Sequence, residues 1–355
     1  MTSSNPLVSI GIPTRNRSAS LRESLKQIVA QDYSPLEIII SDNCSEDDTE
    51  QVCREAMAAD CRIRYVRQPR NIGLHANHNF CIDQSRGEFL CLFHDHDHHD
   101  ARIISEYVAF MQAHPHVGIV CADWDLIDDA GVSLGTRVWK GRAVTPGLEY
   151  VTQTIRSGRS SVGTPGAMVR RQALGTTRFG VDAPIGFGDF PIWFRVAETW
   201  DVGHIGRRLW SWRQNRVSHS ARPIQDIVCD FEQNVGGYCS DYLARRPEQA
   251  RLVRRWQASM LRYLFWAQAY EVGLHFRPIG RPVTPRYRTL FEIMDYRLTP
   301  SQLNQALAQM RRFRTGPLEH AVCAAVSLLV RYGVTSPLGW MIRHQAAVRS
   351  VLGLR

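Results

Sequence analysis

The sequence predicts an α/β fold, a sheet of largely parallel strands covered by helices, and three observations support it. Short β-branched runs alternate with segments of helical period through about the first 90 residues. Such alternation implies crossover helices between parallel strands. Polar residues follow directly on the apolar runs, at the strand ends where open sheets of this kind bind ligands. The 355 residues, 44% of them hydrophobic and 22% charged, are enough to bury a large core.

Leu7 to Ile12 is a buried strand that meets a turn at Pro13. Ser20 to Ala30 places Leu21, Leu25, Ile28 and Val29 on one helical face. Leu36 to Ile40 is a second strand, closed by the polar turn Ser41-Asp42-Asn43, and Thr49 to Met57 is helical. Ile63 to Val66 and Phe89 to Phe93 are the third and fourth strands, and Val117 to Cys121 is another. Residues 156–190 are rich in Gly, Ser, Thr and Pro and read as loop, with a short strand at Ala167 to Val169. The helical period returns from Ile192 to Trp200. Beyond about Pro223 the chain reads as helical, most clearly at Ala250 to Val272 and Pro300 to Phe313, which are separated by a Pro-rich stretch from Pro278 to Pro285. No internal repeat is visible.

Composition narrows the function classes. Met1 to Pro6 is too short and polar for a secretory leader. The longest apolar run, Ala321 to Val330, is about half of what a membrane span requires. Nine cysteines lie scattered without CxxC pairs, so a reduced, cytoplasmic protein is expected. From residue 221 onward 19 arginines face 9 acidic residues, whereas residues 1–220 are near neutral. That surplus suits nucleic acid, anionic lipid or an acidic acceptor. It also suits solvated helix faces in a chain whose only lysines are Lys26 and Lys140. No recognised nucleic-acid module accompanies it, so no nucleic-acid partner is expected.

The run His94-Asp95-His96-Asp97-His98-His99-Asp100 carries the most chemistry. Asp95 and Asp97, directly after a buried strand, can offer hard oxygen ligands to Mg²⁺ or Mn²⁺. The histidines between them leave zinc open as a second reading, and a solvated loop as a third. Asp42 can accept hydrogen bonds from a base or ribose, or serve as a turn residue ahead of Ser45 to Thr49. Thr14 and Asn16 carry the same two readings. Asn71-Ile72-Gly73 reads first as a turn. Asp189, ahead of the apolar start Phe190, Ile192, Trp193 and Phe194, is either a helix cap or a general base at the mouth of a cleft.

Taken together, these segments resemble the inverting glycosyltransferases of the GT-A fold known as family 2. The matching pieces are VSIGIPTRNR at 8–17, EIIISDNCSEDDT at 37–49, RNIG at 70–73, GEFLCLFHDHD at 87–97 and GFGDFPIWFR at 186–195, with a looser match in RRLWSWRQNRVSHS at 207–220. They occur in the family's order and span about 60% of the chain. The resemblance implies a Rossmann-like mixed sheet flanked by helices over residues 1–222. A basic, mostly α-helical region over 223–355 would follow, on the acceptor side, at a membrane or at an interface between copies in a homo-oligomer.

It further implies roles. Pro13, Thr14, Arg15, Asn16, Asp42 and Asn71 would line the nucleotide, together with Asp95 and His96. Asp95-His96-Asp97 would be the Asp-x-Asp motif holding Mn²⁺ or Mg²⁺, with Asp97 the foremost direct ligand and Asp95 nearer the ribose and diphosphate. His219 or Asn215 would be a late metal or phosphate contact, His219 to the metal. Asp189 would be the catalytic base, although the Glu that commonly precedes it is replaced by Gly188. The implied reaction moves a sugar from a nucleoside diphosphate, UDP first, to a hydroxyl of a glycan, a lipid-linked oligosaccharide or a small molecule. The expected setting is bacterial cell-surface glycan synthesis, in the cytoplasm or peripherally on the anionic inner face of the membrane. The alternatives are a nucleotide-sugar-binding protein without activity, a transferase acting on a small metabolite or protein, and a metal hydrolase built on the His/Asp run.

Overall fold

The computed structural model describes residues 5–213, 229–257 and 259–260. These fall into two compact units. The first comprises residues 5–154, 159–213 and 233–235, the second residues 155–158, 229–232, 236–257 and 259–260. His219, Asn215, the helix expected at Pro300 to Phe313 and most of the basic C-terminal surplus lie outside the described residues.

The first unit is built on a mixed sheet. Its strands are β1 (Val8–Thr14), β2 (Leu36–Asp42), β3 (Ile63–Arg67), β4 (Phe89–Leu92), β5 (His98–His99), β6 (Val117–Ile127), β7 (Ser133–Arg137), β8 (Val144–Thr145), β9 (Ala167–Arg170) and β10 (Asp201–Arg213). The lateral order is β3-β2-β1-β4-β9-β6-β10-β5, with β7 beside β6 and β8 beside β10. The β1/β2, β1/β4, β2/β3 and β6/β10 pairs are parallel, whereas β9 runs antiparallel between β4 and β6. The carboxyl ends of β1, β2, β4, β6 and β10 therefore share one edge with the amino end of β9.

Every residue of β1 and β2 is buried, which explains why these strands are continuous apolar runs without alternation. Helices α1 (Ser18–Val29), α2 (Thr49–Ala59), α3 (Leu74–Gln84) and α4 (Ile103–Ala113) connect the strands of the parallel half and the start of β6. α5 (Gly147–Ser157), the single turn α6 (Arg171–Leu174) and α7 (Phe190–Ala197) follow. Leu21, Leu25 and Ile28 of α1 join Ile10, Ile12, Ile38 and Ile40 in the core. Gly73, at φ 88°, adopts the left-handed backbone ahead of α3 that a glycine allows without strain.

α3 carries buried polar side chains. Asn77 donates to the Ser41 carbonyl at 2.9 Å and accepts from the Ser41 hydroxyl at 2.6 Å, and His78 is bonded to the Leu74 carbonyl at 2.8 Å. A hydrophobic stripe is weak there, so the helix is not legible from periodicity. In the second unit, α8 (Gly237–Arg245) brings Tyr238 and Tyr242 against Trp256, with ring centroids 5.1–6.1 Å apart. Residues 250–257 are helical, as expected for the start of the Ala250 to Val272 segment.

Candidate active site

The ligand edge of the sheet gathers most of the residues singled out from sequence. Thr14, the last residue of β1, donates its hydroxyl to Asp95 Oδ2 at 2.7 Å. Asp95 Oδ1 accepts from His96 Nδ1 at 2.8 Å and lies 3.7 Å from Arg17 Nε. Asp97 is fully buried, and its Oδ1 accepts the Arg213 amide at 2.9 Å. Its Oδ2 has no hydrogen-bond partner, although His94 Nδ1 lies 3.4 Å away. Burial alone would raise the Asp97 carboxyl, but His94, His96 and the Arg213 amide outweigh it and hold it below the ordinary carboxylate value. Burial likewise opposes a charge on His96, yet the Asp95 and Asp97 carboxylates raise it.

The loop is held from two sides. On the α1 side, Ser24 donates to the Asp97 carbonyl at 3.2 Å and Gln27 accepts from the His99 amide at 2.9 Å. On the β10 side, Arg213 donates to the His96 carbonyl at 3.0 Å and to His98 Nε2 at 2.6 Å. His99 stacks on Phe93 with centroids 3.7 Å apart and donates to the Pro165 carbonyl at 2.7 Å. Burial pushes His99 down to about 4, so it stays a neutral structural residue. Beside the loop opens a cleft of about 570 Å³, lined by Asn16, Arg17, Ser18, Asp47, His96 and Arg213 among others.

The remaining nucleotide candidates are placed as follows. Asp42 is fully buried. It accepts from the Ser45 amide and from the Tyr65 hydroxyl, each at 2.9 Å, which is the bonding of a turn residue. Asn16 sits at φ 52° and accepts from the Glu46 amide at 2.8 Å, joining the loops after β1 and β2. Pro13 is buried within β1, opposite Ser41 of β2. Arg15 is exposed, 3.8 Å from Glu46. Asn71 accepts from Asn43 at 2.8 Å and from the Gly73 amide at 3.0 Å, as a turn residue does.

Asp189 precedes α7, but its side chain makes no capping bond to that helix, and Pro191 in the first turn needs no acceptor for its nitrogen. Asp189 Oδ2 instead accepts from the Thr164 hydroxyl at 3.0 Å. Burial raises its carboxyl above the ordinary value, opposed by Thr164 first and also by the charge of His94. An ideal Cβ on Gly188 would lie 2.6 Å from two ring atoms of His75 and 2.8 Å from the Pro184 carbonyl. His75 therefore fills the space that a side chain at position 188 would need. Its Nδ1 donates to the Gly180 carbonyl at 2.8 Å.

Sequence reasoning did not single out Thr164, Arg213, His75 or a role for His94. Thr164 stands in a loop whose partner is 25 residues away, and such long-range pairs leave no periodic trace. Cys121, His204 and Asp123 form a second chain of polar contacts, with His204 2.7 Å from Asp123 and 3.4 Å from the Cys121 sulfur. Burial pushes that thiol up to about 12, so it is no nucleophile.

The donor set fits a divalent cation. His94, His96 and Asp97 each offer an atom within 4.8 Å of the others, and the unbonded Asp97 oxygen is among the most enclosed polar atoms there. Asp95 is turned toward Thr14 and Arg17.

Residues 9–175, just under half of the chain, match the model described as glycosyl transferase family 2. This segment is a family 2 glycosyltransferase domain. The family 2 domain is similar over 93 residues, at 40% identity, to GalNAc(5)-diNAcBac-PP-undecaprenol beta-1,3-glucosyltransferase of Campylobacter jejuni. That match covers 26% of this chain and 30% of the relative. Glycosyltransferase AglE of Haloferax volcanii is 32% identical over 92 residues, 25% of this chain and 30% of its own. The chain thus spans about a third of the length of the curated relatives it matches. S. aureus TarS 1–349, solved in complex with UDP-GlcNAc, superimposes with a TM-score of 0.58 at 16% identity, over 92% of each chain. Mannosyltransferase PcManGT from Pyrobaculum calidifontis, solved with GDP-Man and Mn²⁺, gives 0.54 at 16% identity, over 98% of this chain and 88% of that one. These likenesses establish the shared GT-A fold. Among the described residues no helix is long and apolar enough to cross a membrane.

Proposed function

We propose that the chain moves a sugar from a nucleoside diphosphate, UDP first, to an acceptor hydroxyl, with inversion at the anomeric carbon and Asp189 as general base. The observation that carries this reading is a single sheet edge bearing two unlike carboxylates. Burial raises the Asp189 carboxyl above its ordinary value, whereas at Asp97 the neighbouring histidines and the Arg213 amide outweigh burial and hold the carboxyl below it. Carboxylates tuned apart in this way divide the work of binding charge and moving a proton.

The diphosphate would lie in the cleft beside His96, where Arg17 and the first turn of α1 supply positive potential. Thr14, Arg15, Asn16 and Asp42, with Pro13 and Asn71, shape the loops around the nucleoside. Thr14 and Arg17 fix Asp95. A Mn²⁺ or Mg²⁺ ion at the Asp95-His96-Asp97 motif would offset negative charge on the leaving diphosphate. Thr164 fixes one Asp189 oxygen, orienting the carboxylate to take the acceptor proton as the hydroxyl attacks. The named relatives favour a glycan or lipid-linked oligosaccharide as acceptor. The region after Arg222 would serve the acceptor side, a membrane surface or self-association.

The test couples donor binding with turnover. Nucleoside diphosphates are screened by thermal shift with and without Mn²⁺, and the right one stabilises the fold by about 2.7 kcal/mol at a hundredfold excess over Kd. Asp189→Asn then lowers turnover by about 10²–10⁴-fold while that thermal shift survives. Unchanged turnover removes Asp189 from its role. A thermal shift without transfer to any hydroxyl acceptor leaves a nucleotide-sugar-binding protein.

A further inference from the structure

We infer that the cation in this loop is held not by the Asp95/Asp97 carboxylate pair but by His94, His96 and Asp97. Asp95 acts as the positioning residue that aims His96. The inference deepens the proposed reading of the same loop, and its test measures metal binding without a donor so that either can fail alone.

Three observations point the same way. First, Asp97 is fully buried yet leaves Oδ2 without a hydrogen bond, an expensive arrangement unless a positive partner belongs there. His94 Nδ1 lies 3.4 Å from that oxygen. Second, the His94 and His96 rings face each other at 22° with centroids 5.6 Å apart, and each offers a nitrogen within 4.8 Å of the Asp97 donor and of the other. Third, the Asp95 carboxylate is already engaged. Thr14 holds one oxygen at 2.7 Å, and the other takes the His96 Nδ1 proton at 2.8 Å.

That last contact decides the role of Asp95. With Nδ1 protonated toward Asp95, the lone pair of His96 is on Nε2, which lies 3.9 Å from Oδ1 of the same Asp97 carboxylate. A carboxylate gripping the far nitrogen of an imidazole is the usual support of a metal-ligating histidine. Two imidazoles and one carboxylate are also a different donor set from two carboxylates. Mg²⁺ prefers oxygen throughout, whereas Mn²⁺, Co²⁺ and Zn²⁺ accept imidazole nitrogen with rising affinity. The three protein donors leave positions for water or for oxygens of a ligand.

The experiment uses the full chain, stripped with a chelator and titrated with Mg²⁺, Mn²⁺, Co²⁺ and Zn²⁺ in the absence of nucleotide. Co²⁺ and Zn²⁺ are expected to bind at least about 10-fold more tightly than Mg²⁺. Electron spin echo modulation of bound Mn²⁺ should show ¹⁴N coupling from imidazole. His94→Ala and His96→Ala each weaken Co²⁺ by about 10–100-fold and diminish the ¹⁴N signal. Asp95→Asn weakens binding but keeps the ¹⁴N signal, because the ligands remain. Melting curves of each variant, with His96→Asn as a smaller change, separate lost ligation from lost folding.

Equal affinity for Mg²⁺, absence of ¹⁴N coupling, or Co²⁺ affinity unmoved by both histidine variants would each overturn the inference. If the metal binds as described but no nucleoside diphosphate shifts the melting point, the transferase reading fails and this one stands.

Discussion

At Gly188 the absence of a side chain is itself a structural requirement. His75 and the Pro184 carbonyl occupy the volume a Cβ would take, so Gly188→Ala must push the ring aside or open the loop before Asp189. The expected loss is about 1–3 kcal/mol in a denaturation experiment. Adding His75→Ala to that variant should return part of it, and strict additivity of the two losses would argue that the positions do not share one space. Asp189 makes a kinetic prediction. Because burial raises its carboxyl, kcat/KM should fall on the acid side through a value above the ordinary carboxylate range. An acid limb at or below the ordinary value would show a base in open water. The motif letters of the 94–100 run are plain in the sequence, but the direction each side chain faces is not. Asp95 and Asp97 are two residues apart and look equivalent, yet one bonds to Thr14, 81 positions away, and the other to Arg213, 116 positions away. No local pattern encodes such a difference.

Among the elements, the strands with β-branched runs were legible, and their observed ends differ from the expected ones by up to two residues, or by six at the far end of β6. Leu36 to Ile40 becomes Leu36–Asp42, and Val117 to Cys121 extends to Ile127. The elements missed have physical reasons. α4 is apolar around much of its circumference, so it shows little contrast between faces, while α3 buries polar residues. β10 carries Arg207 and Arg208 at register shifts between Ile205 and Trp210, which breaks any alternation. One junction of elements invites a stability test. Glu37, near the start of β2, accepts from the Ser9 hydroxyl of β1 and from the Arg86 amide before β4, each at 2.6 Å. Burial opposes its ionisation, but the Ser9 hydroxyl and the Arg86 amide and guanidinium lower its pKa below the ordinary value of 4.5. Its contribution is therefore present above that value and lost as pH falls through the lower folded one. Glu37→Gln should cost about 1–3 kcal/mol at neutral pH and flatten the acid limb of a stability–pH curve. A curve unchanged in shape would place the charge of Glu37 outside the folding balance.

For the whole molecule, the parallel half of the sheet and its ligand edge follow from the order of strands and helices in the chain, but the reversed strand does not. Ala167 to Val169 reads as a strand of no stated direction, and only its pairing with both β4 and β6 turns it around. The charge distribution supports one further expectation at this scale. The arginine surplus after residue 221 should make the full chain cosediment with anionic vesicles at low salt and release it as ionic strength rises. Equal recovery in the supernatant with neutral and anionic vesicles would assign those arginines to solvent. The reversed strand also divides the chain by tolerance to insertion. Its beginning, not its end, is delivered to the working rim, where Thr164 and Pro165 touch Asp189 and His99. Extra residues spliced in just ahead of Ala167 would remodel the rim that holds Asp189 and His99. The same insert placed after α6 would lengthen the opposite rim and leave catalysis to proceed, so natural diversification of acceptor choice should collect on the first of these junctions.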